Sequence, residues 1–176
     1  MAKLRFTART LPLTGVILLA IGAASSTDAA TATSNLSVTA SVSANCSIST
    51  APVAFGAYDP VTANATAPLS GTGTVNVTCT NGASTTVTLG QGANANTGST
   101  DAAPARRLSD GGTNFLTYSL FQDAGHTTVW GNTAGTGAAN TGTGTQTAIT
   151  VYGSVAAGQN VPSGNYSDTV VATVTF

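Results

Sequence analysis

The sequence predicts an all-β antiparallel sandwich, and three observations carry that expectation. Beyond residue 29 no run shows helical periodicity. Apolar residues alternate with polar ones instead, the pattern of half-buried strands. Turn-forming residues separate the alternating runs, as expected of short strands folded into two layers.

The first element read from the N-terminus is a leader. Lys3, Arg5 and Arg9 form a positive segment, followed by an apolar run from Leu13 to Ala24 and then by small residues. This is the pattern of a secretory signal peptide, expected to be cleaved near Ala29 or Ala30. A spanning helix needs about 20 apolar residues, and this run is shorter and interrupted by Gly15 and Gly22. No later stretch is suited to stable membrane insertion.

Loss of residues 1–29 would leave Arg106 and Arg107 as the only cations against five aspartates, a net charge of −3. Glutamate is absent. A basic face for nucleic acid and a polybasic cluster for anionic lipid are both missing. The remaining Thr, Ser, Ala, Gly and Asn surface suits a secreted structural domain.

The strands follow in order. Leu36, Val38, Ala40, Val42 and Ala44 alternate with polar residues, and the same parity reaches Cys46 and Ile48. Val75, Val77 and Cys79 form the next run, and Val87 and Leu89 follow a turn at Asn81-Gly82, a dipeptide suited to a hairpin. Asp110-Gly111-Gly112 turns the chain into Phe115–Phe121, and Asp123–His126 turns it towards Trp130. Trp130 is expected to cover a sandwich edge or its core. Residues Gly131–Gly144 read as a long mobile loop of low complexity. Ile149 and Val151 mark a short strand. In the last strand Tyr166, Asp168, Val170, Ala172, Val174 and Phe176 share one face.

Cys46 and Cys79 both lie on apolar faces. In an exported chain such a pair reads as one disulfide. A metal site needs three or four ligands, and His126 is the only histidine. No metal or other cofactor is expected.

Two destinations are open to the strand ahead of Cys46. It can pair within its own sheet, or it can leave the domain and complete a neighbour. The chain stops at Phe176, at the end of an apolar strand. That ending predicts a sandwich short of one strand, with open edges that pair readily with another chain.

The chain resembles the spore coat protein U domain family, which includes major subunits of archaic chaperone–usher pili. The resemblance runs through Asn45-Cys46, Phe55-Gly56-Ala57-Tyr58-Asp59-Pro60, Val75–Cys79, Arg107-Leu108, Leu116–Asp123 with Trp130-Gly131, and Gly164–Val170 closing on Val174-Thr175-Phe176. It covers nearly the whole chain after the leader. It implies an incomplete immunoglobulin-like antiparallel sandwich completed by a donor strand. A signal peptide would occupy 1–29, the donor strand 30–44 and the sandwich domain 45–176. Leu36, Val38, Ala40 and Val42 would be the donor's inward residues. The acceptor groove would be flanked by the first strand after the donor and by the C-terminal strand, whose Val170, Ala172, Val174 and Phe176 would line it and form the chaperone-binding strand. The implied partners are other copies of the chain, a periplasmic chaperone and an outer-membrane usher, with a tip adhesin as a further candidate. The implied product is a surface fibre serving adhesion or biofilm formation, with a spore or cell-surface coat as the alternative.

Catalytic constellations fail on inventory. A Ser-His-Asp arrangement needs a well-held histidine, and His126 sits in a turn-like segment. Asp59, Asp110 and Asp123 neighbour Pro, Gly or Ala-Gly sequences and are expected in turns. Asp168, inside the last strand, has no such explanation beyond a partnered or solvent-facing acid. Gly71-Thr72-Gly73, Gly135-Thr136-Gly137 and Gly142-Thr143-Gly144 lack the following helix and lysine of a phosphate loop and are read as loop composition. A secreted carbohydrate-binding module, the other function class, would want clustered aromatics, whereas Trp130 is alone and the tyrosines are scattered.

Overall fold

A computed structural model describes residues 28–176. The signal peptide expected over 1–29 therefore lies outside the described residues except for Asp28 and Ala29. Among the described residues no helix is long and apolar enough to cross a membrane. The chain divides into two units, Met1–Ala40 and Ser41–Phe176. Residues 28–44 belong to no strand.

Among the described residues, all strands lie in the second unit. They are β1 (Cys46–Ala51), β2 (Leu69–Cys79), β3 (Ser84–Leu89), β4 (Arg106–Ser109), β5 (Phe115–Phe121), β6 (Ala138–Thr141), β7 (Gln146–Val155) and β8 (Ala172–Thr175). A single helical turn, α1 (Ala63–Thr66), interrupts them. One sheet has the order β1-β2-β7-β5-β4 and the other β6-β3-β8. Every pairing is antiparallel, as expected of the all-β sandwich.

Alternation decides which side chains reach the core. Val75 and Val77 from β2, Val151 and Val155 from β7, Leu116, Tyr118 and Leu120 from β5, and Val87 and Leu89 from β3 are all buried. Trp130 has no exposed surface, and its indole Nε1 donates to the Val87 carbonyl at 2.8 Å. A buried indole N–H needs such a partner. The tryptophan thus fills the core and bonds across to the smaller sheet.

Cys46 and Cys79 form a disulfide between the register-paired ends of β1 and β2, with Cα atoms 4.2 Å apart. The bridge ties the first residue of the sandwich to the last residue of its longest strand.

Four expectations are corrected. Asn81-Gly82 does not make a hairpin. Gly82 has the expected positive φ of 80° and Ala83 N–H donates to Thr80 O, but β2 already has β1 and β7 on its two edges. With no edge left for β3, the turn carries the chain to the other sheet. Residues Gly131–Gly144 are not a long loop throughout, because they contain β6, paired with β3 from Val87↔Ala138 to Ser84↔Thr141. Glycines flank that strand for steric reasons: a Cβ on Gly137 would lie 2.6 Å from Thr86 Cγ2, and one on Gly142 would meet the Thr80 carbonyl. Gly71 and Gly73 are inside β2 rather than in a loop. Finally, the last strand is divided. Ser167 bridges Ser109 at the edge of the larger sheet, whereas β8 pairs with β3 in the smaller one.

The turn roles expected of three aspartates are present. Asp59 accepts from Val61 and Thr62 N–H, Asp110 from Gly112 N–H, and Asp123 from Thr127 and Thr128 N–H.

Replacing Cys46 and Cys79 together by serine is expected to cost about 3–4 kcal/mol, the value for closing a loop of this length. Urea unfolding followed by circular dichroism measures it, and an unchanged midpoint would contradict a stabilising bridge.

A half-open groove between the first and last strands

Register places Ile48 opposite Val77 and Thr50 opposite Val75. Opposed residues share a face of the sheet, so Ile48 and Thr50 point the same way as two buried core valines. Yet Ile48 is 37% exposed, and every β1 residue after Cys46 is exposed. The C-terminal segment behaves alike. Tyr166, Asp168, Val170, Ala172 and Val174 are half-buried, while the intervening Ser167, Thr169, Val171, Thr173 and Thr175 are exposed. Both inward faces are therefore covered on one side only.

The reason is topological. β1 is the edge of the larger sheet and β8 the edge of the smaller one. Two cavities open on this side. One of about 200 Å³ is lined by Thr50, Val75, Leu89, Leu120, Val151, Val170 and Ala172. The other, of about 700 Å³, lies between the 53–60 segment and residues 161–168. Val53, Phe55, Leu108 and Asp168 line both, so the two are neighbouring parts of one groove.

Local sequence builds its floor. Pro52 has no N–H to continue the ladder, and β1 ends before it. Val53 and Phe55 then lie over three glycines. A Cβ on Gly73 would come 2.7 Å from Val53 Cγ2, and one on Gly153 would come 2.7 Å from Phe55 Cζ. A Cβ on Gly71 would lie 2.9 Å from the Ala54 carbonyl oxygen. These strand glycines allow close approach of a second layer of backbone. Phe55 also meets Tyr118 edge-on, with ring centroids 5.9 Å apart.

A polar cluster sits against this apolar floor. Asp168 Oδ2 accepts from the Tyr118 hydroxyl at 2.7 Å. Its Oδ1 accepts from Asn94 N, Asn94 Nδ2 and Thr169 N at 2.9–3.1 Å. Behind them Arg106 is completely buried, and donates to the carbonyls of Gly90, Leu89 and Trp130, each at 2.8 Å. Its Nη1 is the one buried side-chain polar atom without a partner among the described residues. Burial lowers the Arg106 pKa, opposed by the charges of Tyr118 and Asp168. Burial, and then the bond and charge of Asp168, push the Tyr118 phenol far above its ordinary value. Arg107, one residue on, faces the other way. It donates to the Asn94 and Ala95 carbonyls and lies 4.0 Å from the centre of the Phe115 ring.

Of the expected groove residues, Val170 and Ala172 line the smaller cavity. Val174 is register-paired with Val87 and packs against the core. Phe176 lies just beyond β8 and is 55% exposed. The expected donor residues lie in the stretch without strands: Leu36, Val38 and Val42 are 88%, 85% and 86% exposed, and Ala40 is exposed as well. On the other wall sequence reasoning expected the first strand after the donor, which carries Ile48, but missed Val53 and Phe55 beyond it, and Asp168 as a cluster centre. The parity shared by Asp168 with Tyr166 and Val170 was the available signal: an acid on an inward face needs partners.

Two titrations follow. Because the folded Tyr118 binds its proton more tightly, its contribution to stability is complete below about pH 10 and is lost as pH rises further. Absorbance at 295 nm should show one of the tyrosines ionising only with unfolding, and ionisation of all four in the folded protein would contradict the burial. Hydrogen bonds, chiefly from Thr128 N–H, hold Asp123 down at about 2. Stability from that turn should persist above about pH 4 and be lost as pH falls towards 2. NMR shifts of the Thr127 and Thr128 amides, moving with a midpoint near an ordinary aspartate, would contradict it.

The Spore Coat Protein U domain family matches residues 32–173. Protein U of Myxococcus xanthus is 47% identical over 159 residues, covering 86% of this chain and 89% of that protein. A solved structure is also similar: the CsuC–CsuE chaperone–tip adhesion subunit pre-assembly complex from archaic chaperone–usher Csu pili of Acinetobacter baumannii. The match has a TM-score of 0.53 at 22% identity and covers 77% of this chain and 40% of that one. At that identity it speaks for the fold alone, and the fold agrees with the sandwich found here. On the family match across most of its length, and on its likeness to Protein U, this chain belongs to the Spore Coat Protein U domain family.

Proposed function

We propose that the chain is an exported, non-enzymatic structural subunit that polymerises at the cell surface by strand donation. Residues 1–29 direct export and are removed. Residues 30–44 enter the groove of the next copy, and 45–176 form the sandwich that receives a strand in turn. One observation carries the reading: the inward faces of β1 and the C-terminal strand are both half-exposed along an apolar groove. An exposed alternating stretch with Leu36, Val38, Ala40 and Val42 supports it from the donor side.

The physics of the exchange is direct. An added strand supplies backbone hydrogen bonds to open edges, and alternate side chains fill the space between the sheets. Burial of Leu36, Val38 and Val42 would contribute about 1.5–3 kcal/mol each. Before exchange the groove needs a temporary occupant, the role of a periplasmic chaperone, with an outer-membrane usher as the site of exchange. The likeness to a chaperone–subunit complex from pili supports that route. A tip adhesin would end such a fibre, which would serve adhesion or biofilm formation.

A coat is the second reading, favoured by the family's name and by the 47% identity to Protein U. Strand donation serves both products, and they differ in what is assembled. Electron microscopy of expressing cells separates them: thin fibres favour the first, and a continuous surface layer the second.

Deletion of residues 30–42 is expected to abolish SDS-resistant polymers while leaving a chaperone-bound subunit. Unchanged ladders on gels would sink the strand-donation mechanism. Val38→Asp would place an unpaired charge in the groove and should reduce polymer yield strongly. Normal assembly of that variant would remove the donor assignment.

A further inference from the structure

We propose that Asp168 is the positioning residue of the groove wall: it holds the C-terminal segment at its crossover between the sheets, keeping the groove ready for an incoming strand. The inference deepens the strand-donation reading and rests on it for its consequence.

The path of the backbone singles out this residue. Just before it, Ser167 exchanges two hydrogen bonds with Ser109, each 2.9 Å, at the edge of the larger sheet. Just after it, Thr169 O accepts from Ala93 N–H and Val171 O from Gly90 N–H, and the ladder continues into β8 on the smaller sheet. Asp168 is thus the hinge residue at which the wall changes sheets. In a finished sandwich a strand on the open side would help to hold such a crossover. Here the open side has no strand among the described residues.

The carboxylate replaces that support. Its two oxygens are bonded in opposite directions, Oδ2 to Tyr118 from the larger sheet and Oδ1 to Asn94 from the chain leaving β3. Hydrogen bonds to a charged acceptor are the stronger kind, and the carboxylate's charge in turn favours the buried Arg106 guanidinium. Space around it is tight: a Cβ on Gly92 would overlap the carboxylate. Asp168 also lines both cavities, so its placement sets the separation of the walls where an incoming strand must pass.

Asp168→Asn keeps the size but removes the charge and leaves a single acceptor oxygen, so with that oxygen on Asn94 N–H the Tyr118 hydroxyl loses the carboxylate to which it donates. Tyr118→Phe removes a single bond and leaves the ring packing, which guards against failure to fold. Two measurements on the full chain test the idea. Hydrogen exchange should accelerate at Gly90, Ala93 and residues 169–175 while the β2–β7 amides keep their protection. Capture of a synthetic peptide of residues 30–44 should slow by about tenfold, the effect of losing one hydrogen bond to a charged group. Tyr118→Phe should shift both in the same direction by less.

Equal loss of protection in β2 and β7 would make Asp168 an ordinary stability residue and overturn the proposal. Unchanged exchange at residues 169–175, or unchanged capture, would overturn it too. If the unsubstituted chain captures no peptide, the strand-donation reading fails instead, and the exchange pattern still decides whether Asp168 holds the wall.

Discussion

A guanidinium sealed inside the sandwich links its two sheets. Arg106 starts at the edge of the larger sheet and reaches the Leu89 carbonyl at the end of β3 and the Gly90 carbonyl beyond it. It also binds the Trp130 carbonyl, while the Trp130 side chain bonds Val87 on the same strand. Backbone bonds from Trp130 N–H to Leu120 O and from Leu89 N–H to Gly131 O complete the connection. Burying a charge is costly unless it is hydrogen-bonded. This one has three carbonyl partners and the nearby Asp168 carboxylate. Fixing the sheets' relative position in this way holds the groove open in front of it.

That open side is the consequence of edge placement rather than of poor packing. β1 is joined to the sandwich by one ladder and by the disulfide at its first residue, and β8 by one ladder to β3. Core residues beneath them, Val75, Val77 and Val87, are almost completely buried. Exposure is confined to the outer layer, where Ile48 and the half-buried C-terminal side chains lack a covering strand. Apolar area of this kind favours association at about 25 cal/mol per Å², and an unpaired edge adds directional hydrogen bonds. Both favour an extended partner over a globular one.

Much of the fold was legible in the chain. Period-two alternation identified the β2 and C-terminal faces, down to the shared parity of Tyr166, Asp168, Val170, Ala172 and Val174. The disulfide and the turn aspartates were equally readable, because they depend on local chemistry and cellular compartment. Glycines were the main source of error. Gly71, Gly73, Gly137 and Gly142 look like loop residues by composition, yet they stand inside or beside strands where another layer leaves no room for Cβ. The continuation of the first wall beyond β1 was missed for a related reason: Val53 and Phe55 belong to no alternating run, and their role arises from lying over glycines distant in sequence.

The last strand shows the division most clearly. Alternation alone determined which of its side chains face inward, since an extended backbone turns successive residues to opposite sides whatever its neighbours are. Only the tertiary structure decided that this strand changes sheets at Asp168, because the crossover depends on Ser109, Asn94 and Tyr118, brought together from distant parts of the chain. The sequence likewise determined an alternating stretch ahead of Cys46 but not its pairing. Pairing depends on which edges remain free, and that is known only once the other strands have taken their places.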